Sequence, residues 1–199
     1  MSPLTANDLY SLEDYATIRG EFRAKVMAHK KSRKVHVGAN ATLYFEDRLT
    51  MQYQIQEMLR IERIFEAEGI ADELAAYNPL IPDGSNWKAT FMVEYPDVEE
   101  RRKALENLIG IEDKVWMQVE GCERVYPIAD EDLERDNESK TSSVHFLRFE
   151  LSPTMIAAAH HGSSISAGVD HPAYAAETGP LSEEIRASLA ADLQPGSIN

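Results

Sequence analysis

Trp87-Lys88-Ala89-Thr90-Phe91-Met92-Val93-Glu94-Tyr95 decides the fold class. Trp87, Ala89, Phe91, Val93 and Tyr95 fall on one face of an extended chain, and Lys88, Thr90 and Glu94 fall on the other. A repeat of two marks a strand with one buried face, because successive strand side chains point to opposite sides. The same alternation recurs on either side of this stretch. Val115, Met117 and Val119 read as a second half-buried strand that turns at Gly121-Cys122 into Arg124 to Tyr126. Val144 to Leu151 is another, and Ile165, Ala167 and Val169 make the last. Near the start, Val35 and Val37 pair through a hairpin-like turn at Gly38-Ala39-Asn40 with Leu43 to Phe45.

Helices separate these strands. Ser11 and Asp14 have capping-box spacing and open a charged helix running towards Lys34. A second helix extends from Arg48 to Glu66 and stops at Gly69. Asn78-Pro79 and Pro82-Asp83-Gly84 punctuate a loop. Asp97 and Glu100 cap a helix ending at Gly110, Pro153 opens one ended by Gly162, and Ser182 caps an amphipathic closing helix. Strands joined by turns and single helices, with no regular strand–helix–strand repeat, predict an α+β fold: a mostly antiparallel sheet flanked by helices, in one domain spanning 1–199. Residues 130–141 are rich in acidic side chains and lack a core-forming pattern, so they are expected to be an exposed loop. Trp87, Phe91, Val93, Val115, Val119, Phe149 and Ile165 are expected in the core.

Composition excludes several functions. Acidic residues outnumber basic ones by 34 to 20, a formal net charge of −14. Neither a general nucleic-acid binder nor a protein seated on anionic lipid is expected from that balance, since both need surplus Lys and Arg. No apolar run approaches the ~20 residues that span a bilayer, and no leader pattern opens the chain, so a cytoplasmic location is expected. Cys122 is the only cysteine, which rules out an internal disulfide or a four-thiolate metal site within one chain. With Glu123 beside it, its thiol is expected to be structural. There is no Gly-rich phosphate loop, GxSxG elbow, HExxH, dinucleotide fingerprint or Glu-x-x-His pair, so no nucleotide or flavin cofactor is indicated.

Chemistry is sought in a few odd residues. At about 100° per residue, Met51, Ile55, Met58, Leu59, Ile61 and Phe65 form an apolar arc with Glu62 in its middle. A carboxylate there is either an ion-pair partner of an arginine such as Arg148, or a tuned acid, base or metal ligand. Glu57 lies towards the edge of the arc and is a further metal candidate. Asp170-His171-Pro172 sits at the end of the last strand, where His171 is a candidate base or ligand and Asp170 its carboxylate neighbour. The other reading is a turn that caps the strand. His145 shares an apolar strand face and reads as a core or rim histidine. His160 and His161 diverge on a helix and decorate its end. Arg19, Arg23, Lys25, Lys30, Lys31, Arg33 and Lys34 concentrate cations in one segment, read as a solvated helix flank or as a patch for an acidic partner.

Several stretches resemble a known family. They are Gln54-Ile55-Gln56-Glu57-Met58-Leu59-Arg60-Ile61-Glu62-Arg63-Ile64, Ser143-Val144-His145-Phe146-Leu147-Arg148-Phe149 and Gly168-Val169-Asp170-His171-Pro172-Ala173-Tyr174, together with Leu12-Glu13-Asp14-Tyr15 and Leu181-Ser182-Glu183. Over nearly its whole length the chain resembles the bacterial family of unknown function numbered thirty-five hundred and one. Ala157 to Ser164, with His160-His161, departs from the pattern. Genes of that family often lie beside those for rubrerythrin and a cysteine-rich iron–sulphur oxidoreductase, so the resemblance implies a role near redox or peroxide defence with such proteins as partners. It carries over no catalytic residue. Two functions are therefore expected to compete. One is an accessory protein that binds a redox partner; the other is an acid–base or metal-dependent enzyme with a pocket around Glu62, His171 and Asp170. Convergence of Glu62 and His171 on one pocket would separate them.

Overall fold

The computed structural model describes residues 2–132, 135 and 139–195. The stretch that opened the sequence reading becomes β3 (Asn86–Val93), the central strand of a five-stranded sheet ordered β1-β2-β3-β6-β5. Its neighbours are β1 (Lys34–Val37), β2 (Ala41–Phe45), β6 (Val144–Glu150) and the short β5 (Ile128–Ala129). A second sheet holds β4 (Val115–Val119), β7 (Ile165–His171) and β8 (Tyr174–Glu177) in the order β4-β7-β8. Every pairing in both sheets is antiparallel, so the protein is an α+β fold.

The strands thus divide between two sheets where one was expected. Their inward side chains, including Leu43, Trp87, Phe91 and Phe149 from the larger sheet and Val115, Val119, Ile165 and Val169 from the smaller, meet in one apolar cluster. All seven residues expected in the core are buried there. Short helices α5 (Pro153–His160) and α6 (Glu183–Ala190) add Met155, Ala159 and Leu189 to it. The indole N–H of Trp87 donates to the Leu189 carbonyl at 2.9 Å, tying the central strand to α6. β8 was not expected, because Tyr174-Ala175-Ala176-Glu177 carries no apolar alternation; it pairs with β7 through a tight turn, with His171 opposite Tyr174. Gly168 in β7 is required by packing. A Cβ there would lie 2.2 Å from the Trp116 ring.

Three longer helices, α1 (Leu12–Lys30), α2 (Arg48–Glu62) and α3 (Ala67–Tyr77), form a layer with two small apolar clusters of its own. Ser11 caps α1 and Asp47 caps α2. α4 (Val98–Asn107) is capped by Asp97, which accepts from the amides of Glu99 and Glu100. The second helix is shorter than expected. Arg63 takes a left-handed backbone (φ 56°) and ends α2 there, and Gly69 lies inside α3. Among the described residues no helix is long and apolar enough to cross a membrane.

Two expectations of exposure fail at particular residues. Asp130, placed in the acidic loop, has a side chain only 9% exposed. It accepts from His145 Nδ1 at 2.6 Å and from the Phe146 amide at 2.9 Å, and its left-handed backbone (φ 49°) aims it there. Residues 133, 134 and 136–138 of that loop lie outside the described residues. Arg33, placed on a solvated cationic flank, is 2% exposed and carries Asp192 and Asp47 on its guanidinium at 2.5 and 3.3 Å. A buried guanidinium needs its donors filled, and these carboxylates with the Phe45 and Glu46 carbonyls fill them.

Candidate functional site

Glu62 and His171 do not converge. Glu62 occupies the last turn of α2 and is exposed, because the chain turns off at Arg63. The buried face of the helix is carried by Met51, Ile55 and Leu59 further back. Ile61 and Phe65, counted in the apolar arc, are 61% and 70% exposed. Glu62 lies within electrostatic reach of Glu73 of α3, whose carboxyl is raised by burial and then by Glu62. Arg148, considered as its partner, instead grips Glu131 at 2.7 Å and also meets Glu150. On the far sheet, His171 is 8% exposed. Its Nε2 meets the Ile109 carbonyl and its Nδ1 accepts from the Ala173 amide, both at 3.2 Å. Nδ1 therefore holds the β7–β8 turn, and Nε2 ties that turn to the segment after α4. Asp170 points to the opposite side of the strand, where the Arg124 guanidinium and Tyr126 hydroxyl reach it at 2.9 and 2.8 Å. The Tyr126 hydroxyl leads in holding its carboxyl below the usual range.

Glu57 is an ion-pair hub. Arg19 binds both of its oxygens at 2.8 Å, and Tyr15 donates to it at 2.7 Å. Arg19, foremost, lowers the Glu57 carboxyl to about 2, so this carboxylate staples α1 to α2. His145 is fully buried, with Thr141 Oγ1 2.9 Å from Nε2 and Asp130 at Nδ1. His160 and His161 are exposed at the end of α5. Cys122 is half-buried in the turn after β4 and packs against the main core. Among the described residues no three or more His, Cys, Asp or Glu side chains gather in a way that would hold a metal ion.

The structure draws attention to two other places. The first is the corner where α2 turns into α3. Ile61 and Phe65 stand out from it, with Tyr10 41% exposed beside a concavity of about 400 Å³ lined by Leu9, Leu12, Leu59, Ile64 and Ile70. Charged Glu13, Arg60, Glu62, Arg63, Glu66 and Glu68 surround it in the sequence and are exposed. The second is a groove between the helical layer and the outer face of the larger sheet. Strand register sets its floor in rows, with Tyr44, Thr90 and Phe146 side by side and Met92 beside Val144. Tyr77 and Leu80 form its wall and line two adjoining concavities of about 370 and 340 Å³. At one end Lys88 donates to the Pro79 carbonyl and Arg148 holds Glu131. At the other lies Glu46, 6% exposed. The residues at both places were visible in the sequence. Period two did put Lys88 and Thr90 on the outer face, but nothing in it said that a helical layer would roof that face.

A solved protein of unknown function from Burkholderia pseudomallei K96243 is 51% identical to this chain, matching 97% of it and all of that protein with a TM-score of 0.92. No curated protein matches. The family model described as "Protein of unknown function (DUF3501)" matches residues 3–193, so the chain belongs to the DUF3501 family.

Proposed function

We propose that this protein acts by binding, as an accessory protein of redox or peroxide-defence metabolism in the cytoplasm, and that it docks its partner through the corner between α2 and α3. The carrying observation is the exposure of Ile61 and Phe65 together, at 61% and 70%. Two large apolar side chains held in water at one helix end cost solubility and contribute nothing to the core, which is the usual mark of a contact surface. The adjoining concavity gives an incoming apolar anchor somewhere to sit. The net charge of −14 favours a partner that surrounds this anchor with basic residues. Rubrerythrin and the cysteine-rich iron–sulphur oxidoreductase are the partners that the family resemblance implies. The competing acid–base or metal-dependent reading needs Glu62 and His171 in one pocket, and their separate surroundings leave it without that support.

Titration calorimetry against each of these two proteins tests the proposal. The wild type is expected to bind at least one of them. Ile61→Ser with Phe65→Ser is expected to weaken that binding about tenfold or more, with thermal stability unchanged because neither side chain is buried. Absence of binding to both proteins, or equal affinity of the doubly substituted chain, would refute it.

A further inference from the structure

The groove beneath the helical layer contains a carboxylate that forms no ion pair among the described residues. Glu46 is 6% exposed and lines the groove. Its Oε1 accepts from the Thr90 hydroxyl at 2.8 Å. Among the described residues no donor reaches Oε2, and no Lys, Arg or His forms an ion pair with this carboxylate. A carboxylate drawn into a groove is better accommodated when a cation lies against it. Tyr77, Phe146, Met51 and Met92 line the groove beside Gln54 and Thr90, with Tyr44, whose ring already carries Lys34 Nζ at 5.1 Å, at its edge. Aromatic faces attract cations, and methionines adapt to irregular apolar bodies. Lys30 also lines this end, with its flexible stem adding apolar surface.

We infer that this groove is a binding site for a small organic cation, a protonated amine on an aromatic or aliphatic body, with the ammonium on Glu46 Oε2 and the body over Phe146 and Met92. The site lies on the sheet face and is independent of the docking corner. It requires no bond to form or break. Discrimination rests on charge, because an acid of equal length would place two carboxylates side by side in the groove.

Phenethylamine and hydrocinnamate have similar bodies and opposite charges, so they serve as probes. Carbon-labelled methionine methyl groups report occupancy directly by magnetic resonance. Titration with phenethylamine is expected to shift the Met51 and Met92 methyl signals, and hydrocinnamate to bind at least about tenfold more weakly, if at all. Glu46→Gln retains an acceptor for Thr90 and is expected to lose the amine preference. The comparison of the two probes on wild-type protein needs no variant, so it stands even if Glu46→Gln folds poorly. Unmoved methionine signals, equal binding of both probes, or undiminished amine binding by folded Glu46→Gln would each overturn the inference.

Discussion

Replacing Arg33 with Met removes a charge while keeping most of the side-chain volume, and it tests the most deeply buried ionic arrangement described. The guanidinium donates to the carbonyls of Phe45 and Glu46 at 3.0 Å, to Ser188 Oγ at 3.1 Å and to Asp192 Oδ2 at 2.5 Å. Asp47 lies 3.3 Å from it and also pairs with His29 at 2.5 Å. Arg33→Met strands two carboxylates at once, and breaking a buried pair costs about 3–5 kcal/mol, so about 4 is expected near pH 7. The cost depends on pH. Burial raises the Asp192 carboxyl from 3.8 to about 6 even though Arg33 pulls it down. The folded state therefore holds this proton more tightly than the unfolded chain. Its contribution is fully present below about pH 4 and is lost as pH rises through 6, about 3 kcal/mol in all. Near pH 5 Asp192 is already protonated in the folded wild type, so Arg33→Met is expected to cost less there than near pH 7. Asp192→Asn in both backgrounds isolates the part of the pH dependence that belongs to Asp192. Urea unfolding at the two pH values measures all four proteins. A cost below about 1 kcal/mol near pH 7, or one that does not change with pH, would refute this account.

Gly168→Ala is expected to lower stability by about 3 kcal/mol or more, because the new methyl meets an indole 2.2 Å away inside a packed sheet. For a chain of this size that corresponds to a fall in Tm of about 6 °C or more, and a fall below about 2 °C would show that Trp116 moves aside freely. Glu62→Gln is expected to leave stability within about 0.5 kcal/mol of wild type, since the side chain is exposed. Unfolding measurements showing a loss near 3 kcal/mol would restore a buried role for it.

The strands were legible because their signal is local. Trp87 to Val93 alternates without a break, and the pleat converts that alternation directly into a buried and an open face. The division into two sheets was not legible. Whether β4 continues the sheet of β3 or faces it depends on long-range pairing, and periodicity along one strand says nothing about its neighbours. β8 escaped for the opposite reason. Its register with β7 comes from the tight turn, and the face it turns to the core is only Tyr174 and the small Ala176, too little apolar pattern to mark a strand.

The candidate site shows where helical phase stops being informative. Glu62 stands seven residues after Ile55 and three after Leu59, so it shares their side of α2. Phase gives the direction of a side chain, but burial also requires something opposite. Arg63 ends the helix with a left-handed turn, a conformation uncommon for a residue with a Cβ and one its identity does not announce. Beyond that point the chain leaves for α3, and Glu62 is left exposed although Leu59, three residues earlier, is buried. The same turn that exposes Glu62 also exposes Ile61 and Phe65, so one local event removes a carboxylate from the presumed pocket and creates an apolar surface beside it. Residue types that argue for a buried acid when the helix continues argue for a docking edge when it stops. The position of the helix end therefore decides which reading these residues can support, and their exposure is the ground on which the docking role is proposed.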